Sequence, residues 1–219
     1  NVLEYKEGIS IFGASAGWEN KVEMGRGRSM GIEFMAQKTL GKTTGWLSYT
    51  LSKSDRKFAK GAINNGERFP YKYDRRHIIN LTLNHKFSER IDIGASWVFY
   101  TGGTSTIPEE KTTIIRPGNG ANNGFILGFD NYYNPIYNNS PNVGEANYIE
   151  HRNNYRLPAS HRLNIGINFN KKTKHGMRIW NISLYNAYNS MNPAWVFRSH
   201  NDDGKSVIKK YTLLPCIPS

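Results

Sequence analysis

Long apolar runs are missing from this sequence. No stretch of its 219 residues approaches the roughly 20 consecutive apolar residues that a membrane-spanning helix needs. Mean hydropathy is −0.62. Crossing a bilayer with helices is therefore excluded. Crossing with strands is not, because residues that face lipid alternate with residues that face inward and the average composition comes out polar. Cysteine is nearly absent. Cys216 stands alone, so no internal disulfide can form, and a single thiol near a chain end reads as inert. Acidic residues are scarce: 17 Asp and Glu against 29 Lys and Arg, a net charge of +12. That balance suits nucleic acid, an anionic membrane surface or acidic glycans. Catalytic signatures are missing too. His77, His85, His151, His161, His175 and His200 are scattered, with no metal-ligand spacing. Glu109-Glu110 and Asp202-Asp203 are adjacent pairs in loop-like sequence, read as solvated. The glycines at 25, 27 and 31 have the wrong spacing for a dinucleotide fingerprint, and no helical pattern follows them. No enzyme activity, cofactor or metal is expected. No leader opens the chain, and both ends read as cut.

Alternation is abundant. In YDRRHIINLTLNHKFSERIDIGASWVFY (73–100) the residues Ile79, Leu81 and Leu83 fall on one side, and Asn80, Thr82 and Asn84 on the other. After Phe87-Ser88-Glu89-Arg90 the pattern resumes. Ile91, Ile93, Ala95, Trp97 and Phe99 oppose Asp92, Gly94 and Ser96. Successive side chains of a strand point to opposite faces, so this is two strands, and so short a link makes them an antiparallel hairpin. Each run is about ten residues, the length of a tilted strand crossing a bilayer. The same alternation puts Met30, Ile32 and Phe34, then Leu47, Tyr49 and Leu51, then Leu163, Ile165, Ile167 and Phe169, then Trp180, Ile182 and Leu184 on apolar faces. Asn164, Asn168, Asn181 and Ser183 fall opposite. Aromatics make up 13% of the chain, which suits an interfacial girdle or a ligand surface.

The links between these runs alternate in length. Those at 40–44, 87–90 and 171–176 are short; those at about 53–74, 102–160 and 189–205 are long. A soluble sandwich has no need to gather its long loops at one end, whereas an outer-membrane barrel has short periplasmic turns and long extracellular loops. The longest segment, 102–160, is rich in Pro, Asn, Gly and Tyr, with room for a short hairpin near 124–129. A partial strand is expected from about Val207. The fold expected is all-β: a partial antiparallel transmembrane β-barrel over residues 1–219, with about seven or eight strands. A soluble, secreted β-sandwich or barrel binding glycan is the alternative.

Five stretches in order, GRGRSMGIEFMAQK (25–38), GWLSYTLSKS (45–54), NNGERFPYKYDRRH (64–77), RNNYRLPASHRLN (152–164) and WNISLYNAYN (180–189), resemble the C-terminal barrel of TonB-dependent outer-membrane receptors. The subgroup with a carboxypeptidase-regulatory-like N-terminal domain is the most similar in flavour. The resemblance implies a 22-stranded barrel holding a plug, in the outer membrane of a Gram-negative type of cell. It implies active uptake of a nutrient ligand (siderophore, glycan or peptide) driven through the TonB complex, with a surface lipoprotein as a further partner in nutrient-importing members. It also implies that the coupling box, the plug and the earlier strands lie outside these residues, and that the terminal strand is incomplete at LLPCIPS (213–219).

Candidate ligand contacts are Asn131, Tyr132, Tyr133, Asn134 and Tyr137 in the longest loop, with Tyr148, Asn153, Asn154 and Tyr155 nearby. Aromatic planes beside amide donors suit sugars or peptides. Two groups of cations are expected at opposite ends. Lys38, Lys42, Lys86, Arg90, Lys171, Lys172 and Lys174 lie at the short turns. Arg56, Lys57, Lys60, Arg68, Lys72, Arg75 and Arg76 lie at the long loops, where they suit lipopolysaccharide phosphates. No nucleic-acid-binding signature is present, and no nucleic-acid partner is expected.

Overall fold

A computed structural model describes residues 1–6, 17–116, 126–129, 135–137 and 142–218, with the side chains of 110–147 outside that description. The protein is all-β and antiparallel. It divides into two units: residues 1–107 with 151–219, and residues 108–150.

The first unit is built on one meandering sheet. Its strands are β1 (Val2–Tyr5), β2 (Val22–Lys38), β3 (Thr43–Lys57), β4 (His77–Lys86), β5 (Ile91–Tyr100), β6 (Ser160–Thr173) and β7 (Gly176–Tyr185), each hydrogen-bonded to the next. Ile217–Pro218 pairs with the end of β7, at Leu184 and Tyr185. The links at 39–42, 87–90 and 174–175 all lie at one end of the meander; residues 58–76 and 101–159 connect strands at the other. Gly41, at φ +93° with open space around it, makes the first short turn in a conformation that side chains disfavour.

Register is unbroken from β2 to β7. Phe34 pairs with Tyr49, Tyr49 with Ile79, Ile79 with Phe99, and Phe99 with His161. Nearer the short turns, Leu47 pairs with Leu81, Leu81 with Trp97, and Trp97 with Leu163; beside them Ile93 pairs with Ile167 and Ile167 with Ile182. Paired residues share a face, so every apolar set read from the alternation lies on the same side of the sheet. Among the described residues of this unit that side is uncovered. Ile32 is 74% exposed, Trp180 67% and Ile182 62%; Phe34, Leu47, Leu51 and Phe169 are exposed as well.

The hydrophobic core lies elsewhere. Phe58, Ile63 and Phe69 bury one another with Val2 and Ala62 at the long-loop end, and the Phe58 and Phe69 rings stack. Asn64, Asn65 and Gly66 all take positive φ, so the residues between Ile63 and Phe69 turn back sharply. Asn and Gly tolerate that conformation best.

The sheet is not closed into a barrel, and one expectation about the loops changes. Among the described residues, the outer sides of Arg26–Lys38 in β2 and Gly176–Ser183 in β7 have no partner strand. And 189–205 is not all loop. Pro193–His200 pairs with Ser206–Thr212 in a separate hairpin, held by stacking of Trp195 and Phe197 with Tyr211. In the second unit Glu110–Arg116 pairs with Asn142–Tyr148, and Ile126–Phe129 with Pro135–Tyr137, close to the hairpin expected there.

Gly45 shows how closely β3 and β4 approach. A Cβ there would sit 2.2 Å from the Thr82 carbonyl oxygen. Gly45→Ala should force the two strands apart and cost about 1–3 kcal/mol, as overpacking does, read as a lower urea midpoint for unfolding.

Candidate functional site: a polar trough and a buried carboxylate

The inner face of the sheet is a ladder of small polar groups. Asn80 Nδ2 donates to Ser48 Oγ, and Asn164 Nδ2 to Ser96 Oγ, each at 3.2 Å. Asp92 accepts from Asn168 and Asn170, and Asn181 donates to Asn168. In the middle of the ladder Gly94 pairs with Gly166. Two neighbouring residues without side chains leave a dip, with Asn84 on one flank and Ser183 on the other. The resulting trough, about 390 Å³, is also lined by Thr82, Ser96, Asn164 and Tyr185. Its polar lining side chains are neutral amides and hydroxyls, donors and acceptors together, beside apolar surface from Ala95, Ile165 and Leu184; that mixture fits a neutral molecule with both hydrogen-bonding and apolar faces. Beside it, Arg162 lies over the Tyr185 ring and donates to its hydroxyl, while the buried Arg162 Nε has no hydrogen-bond partner among the described residues.

At the long-loop end the chain is tied around Asp74, whose side chain is 0% exposed. Oδ1 accepts from the Ser54 backbone N–H at 2.6 Å. Oδ2 accepts from Arg156 Nη2 at 2.6 Å and lies 3.1 Å from Arg76 Nε. Arg156 Nη1 also donates to the carbonyls of Asp74 and Gly102. One carboxylate thus binds β3, the 58–76 connection and the segment entering β6. Asn64 exchanges two hydrogen bonds with the backbone of Arg152. Glu4 pairs with Arg56 and Arg152, and Arg56 lies on the Tyr71 ring.

The expected ligand residues fare differently. Asn131, Tyr132, Tyr133 and Asn134 lie outside the described residues. Tyr137 ends the strand Pro135–Tyr137, and its side chain is outside the description. Tyr148 is exposed. Asn153 and Asn154 serve the fold: their amides bond Pro70 and Ile107. The trough was not anticipated as a site, although Gly94 and Gly166 sit at inner-face positions of the alternation. On the outer face His77, His85 and His161 bond the hydroxyls of Tyr49, Thr43 and Tyr188. Comparison with protein-family models, curated proteins and solved structures gives no match.

Asp74→Ala should strip two guanidinium groups and one buried amide of their shared acceptor. Both arginines keep about a third of their surface in water, so the loss should be about 2–3 kcal/mol, below the range for a fully buried pair. Faster tryptic cleavage after Lys72 and Arg75 measures it.

Proposed function

We propose that this chain is the C-terminal barrel segment of a TonB-dependent outer-membrane receptor, importing a nutrient ligand. The observation that carries the reading is the sheet's outer face, apolar across six registered strands with no layer of the first unit's described residues over it. In water such a face costs about 25 cal/mol per Å² of apolar surface left uncovered; in hydrocarbon it costs nothing. The lengths of β4, β5 and β7, 10 residues each, fit a tilted crossing of a bilayer. The band is edged by aromatic and imidazole rings. Tyr49, His77, Trp97, His161 and Tyr188 lie towards the long loops, with Trp97 Nε1 donating to the Tyr188 hydroxyl. His85, Phe87, Phe169 and Trp180 lie towards the short turns. Tyr and Trp favour both membrane boundaries.

The two unpaired edges support a larger ring. In hydrocarbon each unsatisfied backbone group costs several kcal/mol, so spanning sheets close. Strands from outside this chain would complete it, with the polar ladder and trough facing the lumen. The plug, the coupling box that engages TonB and any surface lipoprotein lie with that remainder. The ligand class follows from the trough only as far as neutral and hydrogen-bonding.

A pair of substitutions one residue apart tests the orientation. Leu81→Arg, on the outer face, should lower the folding free energy of the full-length protein in lipid vesicles by about 2–4 kcal/mol. Thr82→Arg, on the inner face, should cost well under half of that. Equal costs, or a full-length protein that is monodisperse in buffer without detergent, would contradict the reading.

A further inference from the structure

On β2 and β3 the outer face continues past the apolar band towards the long loops, and its chemistry changes abruptly. Met30 pairs with Lys53, Arg28 with Asp55, and Arg26 with Lys57. Arg26, Arg28, Lys53 and Lys57 are all exposed, and none has an ion-pair partner among the described residues. Asp55 is the one carboxylate on this face of the two strands, and Arg68 already neutralises it. The other cations at this end are largely engaged. Arg56 pairs with Glu4, Arg76 with Asp74, and Arg75 lies over the Tyr100 ring. Adjacent strands stand about 4.8 Å apart and alternate residues about 6.7 Å apart, so the four cations lie within about 13 Å along the strand direction, with Arg28 also donating to Met30 Sδ.

We infer that Arg26, Arg28, Lys53 and Lys57 form a docking site for the phosphate headgroup of an anionic lipid whose acyl chains lie along the adjoining apolar band. This rests on the membrane reading above, and two features select a lipid over a free anion. The cations directly adjoin Met30, Ile32 and Leu51, which would lie against the acyl chains of the same molecule. They also sit on the outer face, turned away from the polar trough. Arginine supplies planar, paired donors to phosphate oxygens, and lysine a compact charge.

The test uses the full-length protein in a neutral detergent, with dioleoyl phosphatidic acid and dioleoyl phosphatidylcholine as probes. Lipid retained through gel filtration is measured per protein. The wild type should retain the phosphate monoester lipid selectively. The variant with Arg26→Gln, Arg28→Gln, Lys53→Gln and Lys57→Gln together should bind it at least about tenfold more weakly. Lys171→Gln, Lys172→Gln and Lys174→Gln together, at the opposite end, should leave binding unchanged. Heat-modifiable gel mobility confirms that each variant folds. Equal retention of both lipids, equal loss in the control variant, or displacement by inorganic phosphate as effectively as by lipid overturns the site. A wild type that needs no detergent overturns the membrane reading itself, a separable result.

Discussion

Everything in this protein depends on one register. Six strands pair without a slip, and the period of two along each strand then sorts every side chain to one of two faces. A shift of one residue between any two strands would place polar groups in the apolar band and leucines on the ladder. The pairing is therefore specified twice, by backbone hydrogen bonds and by sorting of side chains. The close approach of Gly45 to Thr82 and the Gly94–Gly166 pairing fix where neighbours can sit. No second sheet is needed to define the fold, and the apolar face remains free to meet another medium.

The two ends of the meander are stabilised differently. At the short turns local bonds serve: Ser88 accepts from the Arg90 and Ile91 N–H groups, and Asp92 from Asn168 and Asn170. At the long-loop end, polar connections must be held in place without a large core. The protein uses a small aromatic cluster and a set of buried polar anchors. Asp74 joins segments 82 residues apart through Arg156. Asn64 and Asn154 act as side-chain substitutes for strand pairing. Asn186, fully buried, receives the Ser190 N–H and donates to the carbonyls of Ser190 and Leu214.

Alternation made the strands and their faces readable from sequence, because period two is a local signal. Ile79, Leu81 and Leu83 declare their face without knowledge of any neighbour. The anchors were not readable in that way. Nothing near Asp74 marks it as buried, since Arg156 lies far along the chain and the apolar residues of 53–74, Phe58, Ile63 and Phe69, follow no regular period. The hairpin 193–212 was half hidden for a related reason: Trp195 and Phe197 alternate, but the pattern is too short to outweigh the Pro, Asn and Asp around it. The trough required knowing that Gly94 and Gly166 are neighbours, which only the register supplies. The tyrosine- and asparagine-rich loop illustrates the converse. Composition drew attention to Asn153 and Asn154, and their amides turn out to be occupied by backbone.

The unequal strand lengths have a further effect. β2 and β3 run 17 and 15 residues, while β4 and β5 run 10 each. Since the apolar band starts at the same level on all of them, the surplus stands up on one flank, where Arg26–Gly31 pairs with Ser52–Lys57 over about 20 Å along the strand direction at 3.3 Å per residue. The extension of β3 is paired on both sides, by β2 along its length and by Phe69–Pro70 at Asp55 and Arg56, and it carries the cations of the outer face clear of the apolar band.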